Sequence, residues 1–238
     1  MRLSLLYMFA GVWMTFQAAA SPIAGMRTEA TKDDSAITVL FFGDSLTAAY
    51  GLAPEQGFPG LIRNKVTGLV PPVRVLIAGV SGETTAGGVR RIGWLLKRRI
   101  DVLVLALGGN DGLRGIEPSS MRENLNEIIQ RVRASNPVLE VIVAGMEAPP
   151  NMGVEYTTRF RKVFRDVAET NQATLLPFLL AGVAADPRLN LSDGIHPNAA
   201  GHEIVANHVW KVLGGLLETM RSGASKAGRL RGEEKSKE

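Results

Sequence analysis

Short apolar runs alternate with longer amphipathic stretches along the chain from Ile37 onward. The apolar runs contain no regular alternation with polar residues, which is typical of parallel strands that are covered on both faces of a sheet. They predict five strands: Ile37–Phe42, Val73–Ala78, Val102–Leu107, Val138–Ala144 and the short Thr174–Leu176. Helical periodicity predicts helices over Gly57–Gly68, Thr84–Arg98, Ser119–Ala134, Glu155–Thr170 and Asn198–Met220.

Strands and helices in this order predict an α/β fold. Strand, helix and strand in repeated succession indicate a three-layer α/β/α sandwich around a mostly parallel five-stranded sheet. In open sheets of this kind, ligands bind beyond the carboxyl ends of the strands. We therefore expect the catalytic residues in the three segments that follow the first three strands and in a fourth segment that precedes the last helix. These segments are G-D-S-L-T at 43–47, G-V-S-G-E-T at 79–84, G-G-N-D-G at 108–112 and D-G-I-H-P-N at 193–198.

The N-terminus has the pattern of a secretory signal peptide. Arg2 precedes an apolar run from Leu3 to Phe16, and three alanines follow at 18–20. The run is shorter than the roughly 20 apolar residues that a transmembrane helix needs. We predict a signal peptide over residues 1–20, a linker over residues 21–36, and a periplasmic or secreted mature protein without a stable membrane anchor.

Composition excludes several classes of protein and of site. A chain of 238 residues fits one domain, which we place at residues 37–220. The absence of cysteine excludes a cysteine nucleophile and thiolate metal sites. Residues 221–238, with six basic and three acidic side chains, account together with Arg2 for the whole formal charge of +4. The domain therefore has no net charge to favour a nucleic-acid partner, and we predict that residues 221–238 form a disordered charged tail.

Ser45, Asp193 and His196 are the candidates for nucleophilic catalysis. A serine hydroxyl needs an imidazole to take its proton and a carboxylate to orient that imidazole. His196 lies in a loop three residues after Asp193, which is close enough for one carboxylate to hold the ring. His202 and His208 lie six positions apart in the last predicted helix, too far apart for an H-E-x-x-H zinc motif, and we interpret them as ordinary helix residues.

Three groups could stabilise a developing oxyanion: the backbone N–H groups of Ser45 and Gly82, and the side-chain amide of Asn110. Taken singly, Gly82 could be a turn glycine and Asn110 a left-handed loop residue. Turn formation alone does not explain why a nucleophile, a base, a carboxylate and hydrogen-bond donors all follow successive strands.

The four segments G-D-S-L, Gly82, G-G-N-D and D-G-I-H-P-N resemble the blocks of the SGNH (GDSL) hydrolase superfamily, in the same order. The bacterial group of thioesterase I, lysophospholipase and arylesterase is the most similar, through V-S-G-E-T-T, G-G-N-D-G-L-R-G and A-P-P-N-M-G-V-E-Y. The resemblance implies a flavodoxin-like fold, the triad Ser45, Asp193 and His196, the oxyanion hole Ser45, Gly82 and Asn110, and no metal or other cofactor.

Two segments are candidates for contact with the acyl group. In the resembling group, the loop after the oxyanion asparagine closes over the acyl chain. Here, the candidates from that loop are Asp111, Gly112, Leu113 and Arg114, and those from a second wall are Met146, Pro150 and Met152. The methionines of the second wall could equally be packing residues, because methionine fills irregular gaps in cores and in binding surfaces.

The sequence favours an ester hydrolase that acts on small or single-chain acyl esters, including lipid and thioester substrates, because no long insertion could build a polysaccharide groove. We expect the protein to be monomeric. A carbohydrate O-acetylesterase with the same catalytic residues is one alternative. A non-catalytic binding module is another, although binding alone needs no paired histidine and aspartate.

Overall fold

A computed structural model describes the backbone of residues 36–235 and the side chains of residues 36–223. The predicted signal peptide and all but the last residue of the predicted linker lie outside the described residues. Within residues 36–235, no helix combines the length and the apolar character needed to cross a membrane.

Five strands form one sheet in the order β2-β1-β3-β4-β5, and every neighbouring pair is parallel. The prediction of a mostly parallel sheet is thus confirmed, and the five described strands are all parallel. All five predicted strands are present, with ends that shift by two residues at most. They are β1 (Ile37–Gly43), β2 (Val73–Gly79), β3 (Val102–Ala106), β4 (Glu140–Ala144) and β5 (Thr174–Leu176).

Helices cover the sheet in two layers. One layer contains α1 and α6, which contact each other, and the other contains α2, α4 and α5 in series. Two short helical segments lie in loops at the carboxyl edge of the sheet. The helices are α1 (Phe58–Lys65), α2 (Thr85–Leu95), α3 (Gly109–Leu113), α4 (Pro118–Ser135), α5 (Val154–Thr170) and α6 (Ala199–Lys235), with a 3-10 turn at Pro150–Met152.

The core lies on both sides of the central strands β1 and β3. Every residue of both strands is buried, because helices cover the two faces. Their register pairs Val39 with Val102 and Gly43 with Ala106, so the two strands end at the same edge. This alignment brings the segments after β1 and β3 next to each other.

The last helix is longer than its pattern predicts. The apolar periodicity indicates an end at Met220 and a disordered tail, whereas α6 continues to Lys235. The tail beyond Met220 contains nine lysine, arginine and glutamate residues, which favour helix formation, and also three glycines and three serines, which do not. The charged helix formers favour continuation of α6, and the backbone to Lys235 thus differs from the predicted disordered tail.

Candidate active site

Ser45 is presented by a tight turn directly after β1. The turn is closed by the Ala48 N–H, which donates to the Asp44 carbonyl at 3.0 Å, and by the Tyr50 N–H, which donates to the Ser45 carbonyl at 3.0 Å. Gly43 precedes the turn, and a Cβ atom at this position would collide with the Thr47 side chain. The small residue at the end of β1 therefore permits the turn that places the Ser45 hydroxyl at the carboxyl edge.

Ser45, His196 and Asp193 form one chain of hydrogen bonds. His196 Nε2 lies 2.9 Å from Ser45 Oγ, although the two residues are 151 positions apart. His196 Nδ1 lies 2.7 Å from Asp193 Oδ2. An Nδ1–H donor toward the carboxylate leaves Nε2 as the acceptor for the serine proton, which is the tautomer that a general base requires.

The loop between β5 and α6 fixes the Asp193 carboxylate. Asp193 Oδ1 accepts hydrogen bonds from the backbone N–H groups of Ile195 and His196 at 2.9 and 3.0 Å. These backbone bonds, together with the bond to the His196 ring, lower the pKa of Asp193 to about 2. The carboxylate therefore stays ionised at neutral pH and can stabilise a protonated His196.

The three predicted oxyanion donors face one cavity. Ser45, Gly82 and Asn110 all line it, and they come from the ends of β1, β2 and β3. Gly82 has φ of +77°, a conformation that side chains other than glycine rarely adopt. Among the described residues, no acceptor pairs with the backbone N–H of Ser45 or of Gly82. Both donors are thus available to a ligand.

Asp44 is a partner that the sequence motifs alone do not reveal. Asn110 Nδ2 donates to Asp44 Oδ2 at 3.3 Å, and the Leu46 N–H donates to Asp44 Oδ1 at 3.0 Å. Burial raises the pKa of Asp44 to about 6, because desolvation outweighs these two hydrogen bonds. Asp44 therefore fixes the orientation of the Asn110 amide, so that its second N–H is available to the cavity.

Tyr50 is a second contact that sequence patterns did not indicate. Its ring lies over His196 with a centroid separation of 4.5 Å and an interplanar angle of 37°. Ala49, with φ of +57°, turns the chain so that Tyr50 faces back toward Ser45. A left-handed alanine has no reliable sequence signal, so this ring contact was not predictable from the motif.

The cavity beside Ser45 has a volume of about 530 Å³. Its wall is predominantly apolar, and its polar lining residues are the groups described above together with Ser81 and Glu147. Of the predicted substrate contacts, Leu113, Met146 and Pro150 line it. The remaining apolar lining residues are Leu46, Ala148, Pro149, Phe178, Leu180, Ala184, Ala185 and Ile195.

Four predicted substrate contacts lie outside the cavity lining. The buried Asp111 carboxylate accepts from the N–H and hydroxyl of Thr85 at 2.9 and 2.6 Å, and burial raises its pKa. Gly112 packs against the Phe160 ring, and Met152 lies against Gly115. The Arg114 guanidinium donates to the Gly82 carbonyl at 3.0 Å. These residues support the walls of the site, whereas Leu113 is half exposed within it.

The predicted loop after Asn110 begins as part of a short helix, α3, and continues as a turn and loop over residues 114–117. α3 begins after Gly108, whose φ is +120°. With two glycines in five residues, the segment has no helical pattern to detect. The bonds from Asp111 to the N-terminus of α2 are tertiary contacts, and they hold this turn in place.

The other two histidines lie in α6, as expected for ordinary helix residues. His202 is buried and its Nδ1 accepts the Phe58 N–H at 3.2 Å. Burial lowers its pKa to about 4, so the ring is neutral at pH 7. In the part of the chain that the structure describes, no group of three or more histidine, aspartate or glutamate side chains could hold a metal ion.

Comparison with known proteins identifies the family. A model of the GDSL-like lipase/acylhydrolase family matches residues 41–204, a span that includes Ser45, Gly82, Asn110, Asp193 and His196. The chain belongs to this family. It is therefore an ester hydrolase.

Relatives are similar over most of their length. Esterase TesA from Pseudomonas aeruginosa is 37% identical over 188 residues, which cover 79% of this chain and 92% of the relative. Thioesterase 1/protease 1/lysophospholipase L1 from Escherichia coli K12 is 33% identical over 207 residues, covering 87% of this chain and 90% of the relative.

Solved structures of the family have the same flavodoxin-like fold. The crystal structure of TesA aligns with a TM-score of 0.70 at 37% identity, covering 74% of this chain and 97% of that one. The psychrotrophic esterase EstA from Pseudoalteromonas sp., inhibited by monoethylphosphonate, aligns with a TM-score of 0.70 at 30% identity, covering 76% and 98%. AlinE4, described as an SGNH-hydrolase family esterase, aligns with a TM-score of 0.62 at 34% identity, covering 76% and 97%.

Proposed function

We propose that this protein is a secreted serine esterase that hydrolyses carboxylic esters and thioesters of small or single-chain acyl groups through an acyl-enzyme. One observation carries the proposal: the hydrogen-bonded chain of Ser45, His196 and Asp193 ends at the wall of an apolar cavity. An open cavity of about 530 Å³ is in the range that small-molecule sites occupy.

In the first half of the reaction, Ser45 Oγ attacks the acyl carbonyl carbon and His196 Nε2 takes the hydroxyl proton. The C–O or C–S bond to the leaving group then breaks, and His196 returns the proton to the alcohol or thiol. In the second half, His196 takes a proton from water as the water oxygen attacks the acyl carbon. The bond from the acyl carbon to Ser45 Oγ then breaks, His196 returns the proton to Ser45, and the carboxylic acid leaves. The ionised Asp193 stabilises the imidazolium that forms in each half.

The carbonyl oxygen becomes negatively charged as the tetrahedral intermediate forms. The N–H groups of Ser45 and Gly82 and the Asn110 amide are in place to donate to it. Asp44 accepts one N–H of the Asn110 amide, which holds the amide plane before the substrate arrives. Because these donors are fixed in advance, little reorganisation is needed in the transition state.

The lining of the cavity supports an acyl substrate over an acetylated sugar. Leu113, Met146, Phe178 and Leu180 present hydrocarbon surface, which favours a chain of methylene groups over hydroxyl groups. The relatives named as an esterase, and as a thioesterase and lysophospholipase, support the same substrate class. The N-terminal sequence pattern supports secretion, with cleavage after the alanines at 18–20.

The test is a pair of serine variants. Ser45→Ala is expected to reduce hydrolysis of p-nitrophenyl esters to background and to abolish labelling by a fluorophosphonate. Ser81→Ala is the matched control, because Ser81 also lines the cavity but has no histidine partner. Retained labelling of Ser45→Ala contradicts the assignment, and so does equal loss of activity in both variants.

A further inference from the structure

Trp94 is an exposed aromatic side chain on α2, on the opposite side of the helix from its buried residues. The indole is 74% exposed, whereas Ile92 of the same helix is fully buried. A single exposed apolar residue is common on protein surfaces and needs no explanation. The residues around Trp94 make this position different.

Three exposed cations lie within four positions of Trp94 in the chain. Arg90 lies one helical turn before it on the same exposed face, and Lys97 Nζ lies 5.7 Å from the centre of the indole ring. Arg98 is exposed next to Lys97. Among the residues whose side chains are described, none of these three cations pairs with a carboxylate.

The neighbouring cations behave differently. Arg91 pairs with Glu83, and Arg99 Nε lies 2.7 Å from Asp101 Oδ1. The segment from 90 to 99 therefore contains both neutralised and unneutralised cations. The cations without a described carboxylate partner are the exposed ones within four positions of Trp94, and Lys97 lies next to the indole ring itself.

The helix dipole explains only part of this arrangement. Lysine and arginine near a helix C-terminus are favourable on any surface helix, and α1 also ends with exposed Arg63 and Lys65. The dipole does not account for Arg90, which lies in the middle of α2, or for the exposed Trp94. α1 has no exposed aromatic residue, so it provides a natural comparison in the opposite helical layer.

We propose that the surface formed by the end of α2 and the turn after it, defined by Arg90, Trp94, Lys97 and Arg98, docks reversibly onto an anionic lipid surface. Indole rings favour the boundary between water and hydrocarbon, and lysine and arginine extend their charged ends to phosphate groups while their stems stay apolar. An exposed indole fits a lipid interface better than an acidic protein surface, where the charges alone would suffice. α2 begins three residues after Gly82 and runs away from the cavity, so Trp94, Lys97 and Arg98 lie toward the opposite edge of the sheet. Docking there tethers the enzyme to the lipid without placing the cavity against it.

The test measures binding separately from the reaction, in a Ser45→Ala background that leaves the lipid intact. Co-sedimentation with phosphatidylglycerol/phosphatidylcholine vesicles is compared with sedimentation in pure phosphatidylcholine vesicles. Each cation is expected to raise the partition coefficient onto an anionic lipid surface about fivefold. Lys97→Glu with Arg98→Glu is therefore expected to lower binding by roughly 25-fold or more, and Trp94→Ala is expected to lower it in both low and high salt.

Arg63→Glu with Lys65→Glu is the matched control, because it changes the net charge equally on α1. Retained binding in this control and loss in the α2 variants support the proposal. Three results overturn it: no binding to the anionic vesicles, equal loss in both double variants, or binding to soluble polyglutamate without binding to vesicles. The last result would indicate an acidic protein partner. Circular dichroism of each variant verifies that it is folded.

Discussion

Asp44→Asn measures how much the burial of an ionised carboxylate beside Asn110 lowers the free energy of unfolding. The Asp44 side chain is 3% exposed and accepts from Asn110 Nδ2 and from the Leu46 N–H. The new amide retains the shape and can still accept the Leu46 N–H, but it cannot ionise. It also places an amide against the Asn110 amide, so kcat is expected to fall as the oxyanion donor loses its fixed orientation.

The magnitude follows from the pKa of Asp44, which burial raises from the usual 3.8 to about 6. Because the folded protein binds this proton more tightly than the unfolded chain, the free energy of unfolding falls as pH rises through this window. At 1.36 kcal/mol per pH unit, the total loss is about 3 kcal/mol. About 2 kcal/mol of it falls between pH 4.5 and pH 7.5.

The assay is urea unfolding of the wild type and Asp44→Asn at pH 4.5 and pH 7.5. Other titrating groups, such as Asp193 and His202, are present in both proteins and largely cancel in the comparison. Relative to the wild type, Asp44→Asn is expected to gain about 2 kcal/mol on going from pH 4.5 to pH 7.5. Asn110→Ala retains the Asp44 carboxylate and removes a hydrogen bond that lowers its pKa, so the fall in the free energy of unfolding with pH is expected to be at least as large as in the wild type. If the difference in free energy of unfolding between the wild type and Asp44→Asn is the same at both pH values, the reasoning is refuted.

Three further variants test individual contacts in the site. Asn110→Ala is expected to lower kcat by about 10²–10³ with little change in KM, and a change in KM alone would indicate substrate positioning instead. Leu113→Ala is expected to lower kcat/KM for octanoyl esters more than for acetyl esters, whereas Met152→Ala, outside the cavity lining, leaves this ratio unchanged. Tyr50→Leu is expected to lower kcat by about 3- to 10-fold, because it removes the ring contact with a protonated His196. Tyr50→Phe keeps the ring and is expected to keep the wild-type kcat. Equal kcat values in the two variants contradict a role for the Tyr50 ring.

The fold and the catalytic candidates were predictable because they depend on local patterns. Continuous apolar runs such as Val102–Ala106 identify strands that are buried on both faces. A parallel sheet brings all carboxyl ends to one edge, so Ser45 and Asn110 had to lie at the same edge. Asp193 and His196 are three residues apart, and so their contact is also local.

The remaining features depend on which distant residues become neighbours. Asp111 follows Asn110 and is predicted from the sequence as a substrate contact, but its carboxylate pairs with Thr85, 26 positions away. Its place is decided by the packing of α3 against the start of α2. Met152 similarly packs against Gly115 outside the cavity, although Met146 lines it.

The sequence by itself determined the strands, their common edge and the residue types that carry out the chemistry, because periodicity and motif spacing record local backbone structure. Only the tertiary structure decided that Tyr50 covers His196, that Asp44 holds Asn110, and that Trp94 stays exposed beside Lys97. These contacts depend on side-chain direction and on burial. Both are fixed by the packing of elements far apart in the chain, which no local pattern specifies.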